Sequence, residues 1–95
     1  MTKQIILEYL RTHKSEFQDK YDIESIGLFG SYARDEASSK SDIDIYVKMK
    51  PDLFNLMGLK QEIEEAFSKK VDIIREHKNI KPFLQKMIEK DVAYV

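Results

Sequence analysis

The sequence predicts an α/β fold with α+β character, in which helices pack on a small mixed sheet of three to four strands. Segments with helical apolar spacing alternate along the chain with short apolar runs typical of strands, in the order α-β-α-β-α-β-α. The connection between the second and third strands is long enough for a right-handed crossover, so these strands are expected to be parallel neighbours. The length of 95 residues predicts one domain, spanning 1–95, with a modest core.

A first helix is expected at the start of the chain. Thr2 is suited to cap it, and the apolar spacing indicates that it ends near Asp19. The apolar stripe consists of Ile6, Leu10, His13 and Phe17, widened by Ile5 and Tyr9. Because no second metal-type residue follows His13 four positions later, we interpret His13 as a partly buried packing residue and not as a ligand.

The first strand is predicted over residues 23–29, with one well-buried face. One face is expected to carry Ile23, Ser25, Gly27 and Phe29, and the other Glu24, Ile26 and Leu28. Glycine inside a strand often marks the close approach of another backbone or a ligand, which is the expectation for Gly27. Gly30 and Ser31 end the strand, and a short helix over 32–37 is expected directly after this turn.

The second strand is predicted over 41–49, where apolar and polar residues alternate closely. One face is expected to carry Asp42, Asp44 and Tyr46, and the other Ile43, Ile45 and Val47. Pro51 ends the strand, and Asp52 is suited to cap a helix over 53–68. The core stripe of that helix is expected to consist of Leu56, Leu59, Ile63 and Phe67.

The third strand is predicted over 70–76, with Val71 and Ile73 on one face and Asp72 and Ile74 on the other. A last helix is expected to open near Pro82, since proline is tolerated in a first turn. Its apolar face is expected to consist of Phe83, Leu84, Met87 and Ile88. Residues 92–95 are expected to form a short closing strand or to fray.

Composition narrows the classes of function. With 16 basic and 17 acidic residues the net charge is −1, and no global field attracts nucleic acid or membrane. The basic residues Lys69, Lys70, Lys78 and Lys81 are too sparse for a phosphate-backbone site and are interpreted as a solvated surface. The chain has no cysteine and no apolar run long enough to span a membrane, so a cytoplasmic location is expected.

Three carboxylates are candidate catalytic and metal-binding groups. Asp42 and Asp44 lie two apart on a predicted strand, so both project from one face. Asp72 would join them if the third strand pairs beside the second in the right register. Mg²⁺ takes oxygen ligands and needs only one or two protein carboxylates, and a pair of ions suits in-line displacement at phosphorus. Asp72 could hold one ion or act as general base.

The turn at Gly30 and Ser31 is a candidate phosphate site. Glycine permits close approach by a phosphate, a following helix directs free N–H groups at the anion, and the Ser31 hydroxyl can add a hydrogen bond. Arg34 could contact a triphosphate or lock the turn through Glu36 or Asp35. Each feature alone is weak, because such turns and Asp-x-Asp pairs are common on surfaces. Their combination with a third acidic strand position indicates nucleotidyl transfer.

The segment GSYARDE followed by SDIDI resembles the GSxARGE…SDIDLL signature of polymerase-β-type nucleotidyltransferases. More narrowly, it is similar to the minimal nucleotidyltransferase (MNT) antitoxins of HEPN/MNT toxin–antitoxin pairs. The resemblance implies that Gly30 and Ser31 hold nucleotide phosphates. It also implies that Asp42 and Asp44 are metal ligands and that Asp72 is the third catalytic carboxylate.

The activity implied by the resemblance is transfer of AMP from ATP, with Mg²⁺, to a tyrosine hydroxyl of a partner HEPN ribonuclease toxin, which silences the toxin. One position departs from the signature, since Asp35 stands where the family commonly has glycine. An acidic side chain there could pair with Arg34 or disfavour an incoming triphosphate.

Two alternatives stay open from sequence. The chain could be a binding antitoxin that occludes the toxin without catalysis, or a nucleotidyltransferase with a small-molecule or nucleic-acid acceptor. Small size opposes a small-molecule acceptor, and the near-neutral charge opposes a nucleic acid. Apolar residues expected to be exposed, Leu53, Phe54 and Tyr94, are candidates for a partner surface.

Overall fold

Helices and strands alternate along residues 1–95, all of which the computed structural model describes. In chain order they are α1 (Lys3–Tyr21), β1 (Ile23–Phe29), α2 (Gly30–Ala33), β2 (Ile43–Met49), α3 (Leu53–Phe67), β3 (Val71–Arg75), α4 (Pro82–Asp91) and β4 (Ala93–Tyr94). The predicted order of elements is confirmed. None of the helices is long and apolar enough to cross a membrane.

The strands form one mixed sheet in the order β3-β2-β1-β4. β2 and β3 are parallel neighbours, as the long connection through α3 predicts, whereas β1 pairs antiparallel with both β2 and β4. The predicted α/β class with a small mixed sheet is therefore confirmed. Of the two options left open for the last residues, the closing strand is the one that forms.

The sheet is covered on both faces. The main core lies between the sheet and helices α1 and α3, which bury Ile6, Leu10, Phe17, Leu59 and Ile63. On the other face, Ile88 of α4 packs against Phe29 and Tyr46. Since Asp44 lies two residues before Tyr46, its side chain is on the face that α4 only partly covers.

The face assignment of β1 needs one correction. The pairing register with β2 shifts between Ile23 and Ser25, which is a β-bulge. A bulge inserts an extra residue and moves the preceding side chains to the opposite face. Ile23 therefore packs in the main core with Ile26 and Leu28, and not on the face of Phe29 as the alternation predicted.

Gly27 is where β4 comes close to β1, as expected. A Cβ at this position would lie 2.9 Å from Val92 Cγ2 and 3.0 Å from the carbonyl oxygen of Ala93. Any larger residue would push β4 away from the sheet, so Gly27 explains how such a short strand can pair here.

The helix caps agree with the sequence. Thr2 Oγ1 accepts a hydrogen bond from the Ile5 N–H at 3.3 Å, and Asp52 Oδ1 accepts one from the Asn55 N–H at 3.0 Å. Helix α1 continues to Tyr21, two residues beyond the expected end. The packing role of His13 is confirmed, because its Nδ1 lies 2.8 Å from the Tyr9 carbonyl oxygen and its ring is 4.2 Å from the Tyr9 ring.

The apolar face of α4 differs from the expectation. Ile88 is buried and Leu84 is partly buried, but Phe83 and Met87 are exposed. The helix meets the sheet along a narrow line, so it buries only part of the wide apolar stripe that the sequence offers. Phe83 and Met87 project away from the core.

Candidate active site

Asp44 and Asp72 are direct neighbours across the parallel strands β2 and β3. Parallel pairing with residues in register places their side chains on the same face of the sheet. Asp42 was expected inside the second strand, but β2 begins at Ile43, whose N–H donates to the Lys70 carbonyl at 3.0 Å. Asp42 therefore stands at the end of the preceding loop, one position before the first ladder bond.

The electrostatics show that Asp44 is the carboxylate on which its surroundings act. The pKa of Asp44 is raised from 3.8 to about 6, chiefly by burial and then by the charges of Asp72 and Asp42, while Arg34 acts in the opposite direction. A carboxylate held among like charges gains stability from a bound cation or a proton. The site is thus arranged to favour positive charge.

A groove of about 450 Å³ opens at this pair of carboxylates, between helices α3 and α4. Besides Asp44 and Asp72, its walls carry one basic residue and several apolar ones. The lining consists of Phe29, Asp44, Met57, Lys60, Asp72, Ile73, Ile74 and Leu84. An acidic floor with apolar walls can accept a phosphate-bearing ligand only together with cations.

Gly30 brings the turn against Asp44. Its φ is +76°, a left-handed conformation that favours glycine, and a Cβ there would overlap with Asp44 Oδ2. The missing side chain therefore makes room for the carboxylate. The structure thus places the turn at Gly30 directly against Asp44 of β2.

The short helix after this turn is smaller than expected. α2 spans Gly30–Ala33 instead of 32–37, and it ends because Asp35 adopts a left-handed φ of 58°. The Arg34 N–H bonds to the Gly30 carbonyl at 3.1 Å, and the Glu36 N–H to the Ser31 carbonyl at 2.9 Å. The segment is a tight, internally bonded turn.

Arg34 is held by acidic residues of the protein itself. Its Nη1 donates to Asp91 Oδ2 at 2.5 Å, and its Nε lies 3.5 Å from Glu36 Oε2. The bond to Asp91 is the largest cause of the raised pKa of Arg34. From the sequence, Glu36 or Asp35 was expected as the partner of Arg34. The contact with Glu36 forms, and a contact with Asp35 does not. Asp91, whose side chain is only 6% exposed, was missed.

Arg34→Ala is expected to lower the melting temperature, because it leaves the nearly buried Asp91 carboxylate without its partner. The loss should be clearly smaller when Asp91 is already asparagine, since no charge is then stranded. Thermal unfolding of the two single variants and the double variant measures the coupling. Equal losses in both backgrounds would show that the pair contributes nothing to folding.

The conformation of Asp35 accounts for the glycine that stands at this position in the GSxARGE signature. Left-handed φ is accessible to glycine without strain and is tolerated by aspartate. Asp35→Gly is expected to raise the free energy of unfolding by up to about 1 kcal/mol, with the turn otherwise unchanged. Urea unfolding measures the change, and Asp35→Ala, which keeps the strain, is the control that should destabilise.

Glu64 of α3 and Lys69, which follows this helix, hold the backbone next to Asp72 and Asp42. Neither role was predicted from the sequence. Glu64 Oε2 accepts from the Val71 N–H at 2.9 Å, which fixes the strand at the residue before Asp72. Lys69 Nζ donates to the carbonyls of Ser39 at 3.0 Å and Ser41 at 3.4 Å. Lys69 therefore anchors the loop before Asp42 and is not the solvated residue that was expected.

The donor set fits Mg²⁺, although no group of three or more acidic or histidine side chains is gathered tightly enough to form a ready-made ion cage. Mg²⁺ commonly uses one or two protein carboxylates and completes its shell with water and substrate phosphates. Asp44 and Asp72 meet that requirement as neighbours. The raised pKa of Asp44 means that a positive charge bound nearby would stabilise its carboxylate.

Comparison with known families decides the class of protein. Residues 11–94 match the family model described as "Polymerase beta, Nucleotidyltransferase". The chain belongs to this nucleotidyltransferase family. The predicted enzyme class is thereby confirmed, and so is the identification made from the Gly-Ser turn and the acidic strand.

Named relatives match this nucleotidyltransferase over nearly their whole length. A Methanocaldococcus jannaschii protein, named as a candidate protein adenylyltransferase, is 42% identical over 94 residues, which cover 95% of this chain and 94% of that protein. Protein adenylyltransferase MntA of Thermococcus cleftensis is 32% identical over 97 residues, which cover 100% of this chain and 97% of that protein.

Solved structures confirm the nucleotidyltransferase fold. A toxin–antitoxin crystal structure with AMP-PNP matches with a TM-score of 0.68 and 24% identity, covering 99% of this chain and 72% of that chain. A structure of tri-AMPylated Shewanella oneidensis HEPN toxin in complex with MNT antitoxin matches with a TM-score of 0.67 and 21% identity. The match covers 98% of this chain and 71% of that chain. At these identities the likeness establishes the fold.

Proposed function

We propose that this nucleotidyltransferase is a protein adenylyltransferase that transfers AMP from ATP to a tyrosine hydroxyl of a HEPN ribonuclease toxin and so acts as its antitoxin. The observation that carries the proposal is the placement of Asp44 opposite Asp72, directly against the Gly30 turn. A glycine turn beside two neighbouring carboxylates is an arrangement that suits nucleotidyl transfer.

The residues have distinct roles in this proposal. Asp42 and Asp44 are assigned as ligands of a pair of Mg²⁺ ions, with Asp72 as the third carboxylate. Gly30 and Ser31 are assigned to the nucleotide phosphates. A phosphate contact by Arg34 stays a prediction, and the bond to Asp91 supports a role in holding the turn.

The chemistry is an in-line displacement at the α-phosphorus of ATP. The tyrosine oxygen bonds to this phosphorus, the bond to pyrophosphate breaks, and the hydroxyl proton passes to Asp72 as general base. Bound Mg²⁺ would offset the negative charge that develops on the phosphate oxygens. Asp44 must be ionised to contribute, so its raised pKa limits the metal-free site at acidic pH.

The choice of substrate and partner is supported by the relatives. The 32% identical MntA is named a protein adenylyltransferase, and chains of this fold occur in crystals with AMP-PNP and with an AMPylated HEPN toxin. Direct nucleic-acid binding is not part of the proposal. A cytoplasmic location and a single domain over 1–95 stay predictions, which imaging of a tagged chain and limited proteolysis would test.

A growth assay separates catalysis from occlusion. Cells expressing the HEPN toxin are complemented with the wild-type chain or with Asp42→Ala/Asp44→Ala at matched expression. The proposal predicts that only the wild type restores growth. Equal protection by the double variant, with its fold intact by circular dichroism, would establish the non-catalytic binding antitoxin instead.

A further inference from the structure

Large exposed apolar side chains are concentrated beside the groove. Phe54 is 91% exposed and Phe83 is 77% exposed, values unusual for phenylalanine in a protein whose surface is otherwise strongly charged. The exposed large apolar residues on α3 and α4 are Leu53, Phe54, Met57, Phe83 and Met87. Only Met1, Ile5 and Tyr94 fall in this exposed class elsewhere in the chain.

These side chains are continuous with the walls of the groove. Met57 of α3 and Leu84 of α4 line it together with the two carboxylates. Phe54 is three residues before Met57, on the same face of α3, and Phe83 directly precedes Leu84. The exposed apolar residues therefore extend along α3 and α4 from a groove that contains Asp72.

The outer face of α4 also carries unpaired positive charge. Phe83, Lys86, Met87 and Lys90 follow the i, i+3, i+4, i+7 spacing of a single helix face. Lys86 and Lys90 are exposed, and neither takes part in an ion pair within the chain. The face thus combines apolar anchors with free cations, which complements an apolar surface edged by carboxylates.

We propose that the exposed faces of α3 and α4, centred on Phe54 and Phe83, are the docking surface for the protein acceptor, with Lys86 and Lys90 meeting acidic residues of that protein. This inference rests on the proposed function, because it takes the acceptor to be a protein. A small-molecule acceptor would need an enclosed pocket, whereas exposed aromatic anchors around an open groove suit a macromolecular surface.

The test measures steady-state AMP transfer to the purified HEPN-type partner as a function of partner and of ATP concentration. Phe54→Asp/Phe83→Asp is expected to raise the KM for the partner by at least about tenfold, and by far more than the KM for ATP. Ile5→Asp is the matched control, since Ile5 is 53% exposed on α1 away from the groove. It should leave both constants unchanged.

Charge reversal tests the lysines separately. Lys86→Glu/Lys90→Glu is expected to raise the KM for the partner and to remove most of its dependence on ionic strength. An unchanged KM with unchanged salt dependence would exclude the lysines from the docking surface.

The outcomes distinguish this inference from the proposed function. Undiminished transfer by both double variants overturns the docking surface and leaves the adenylyltransferase standing, whereas no transfer by the wild type overturns the proposed function. An equal rise in the KM for ATP would place the phenylalanines against the nucleotide. A wild-type dimer dissolved by Phe54→Asp/Phe83→Asp without any change in the KM for the partner would identify a second copy as the occupant.

Discussion

Asp44→Asn is expected to lower the rate of AMP transfer by about a hundredfold to a thousandfold while it raises the melting temperature of the metal-free protein at neutral pH. The amide keeps the shape of the side chain and removes the charge that burial and the neighbouring carboxylates disfavour. Loss of activity with a gain in stability is the usual signature of a charge kept for function.

The stability gain from Asp44→Asn is expected to increase as the pH rises. The folded-state pKa of Asp44 is about 6 against an ordinary value of 3.8, so the folded chain binds this proton more tightly than the unfolded chain. The resulting stabilisation is fully present below pH 3.8 and is lost as the pH rises through about 6. The advantage of Asp44→Asn over the wild type should therefore grow across this window.

Thermal unfolding of both proteins with a chelator present, at a series of pH values, measures this difference. Added Mg²⁺ should stabilise the wild type more than Asp44→Asn, because only the wild type has the full set of anionic ligands. A melting-temperature difference that is constant with pH would contradict the account of Asp44.

Gly30→Ala is the second substitution with a large expected effect. A Cβ requires a strained left-handed backbone and would meet Asp44 Oδ2, so the turn or the carboxylate must move. We expect a loss of about 1–3 kcal/mol in the free energy of unfolding and a fall in kcat of about a hundredfold. Urea unfolding and the transfer assay measure the two effects.

Gly27→Ala is the matched control for Gly30→Ala. Its Cβ would meet Val92 and Ala93 of the closing strand region, so it should destabilise the protein without displacing Asp44. If Gly27→Ala and Gly30→Ala lower kcat to the same extent among the folded molecules, the clash with Asp44 is not the cause of the loss.

The elements whose signals are local were predictable from sequence. Alternation in 41–49 identified the strand that carries Asp44, and the long connection through α3 predicted the parallel pairing with the strand of Asp72. Caps at Thr2 and Asp52 depend on hydrogen bonds within three residues, so they were readable as well. These features fix the sheet and the position of the candidate site.

The features that sequence reasoning missed depend on distant contacts. Asp91 lies 57 residues from Arg34, and no local pattern joins them. The bulge in β1 and the left-handed conformation of Asp35 depend on tertiary packing and not on local sequence patterns. Phe83 fits an apolar helix stripe, and only the narrow contact of α4 with the sheet shows that it stays exposed.

The central claim is that this chain transfers AMP to a protein partner through its carboxylate site. Its most direct test incubates the purified chain with ATP, Mg²⁺ and the HEPN-type partner and then measures the intact mass of both proteins. The account predicts an increase of one or more AMP units on the partner that is absent with Asp42→Ala/Asp44→Ala. A partner of unchanged mass in a tight complex with the wild type would contradict it.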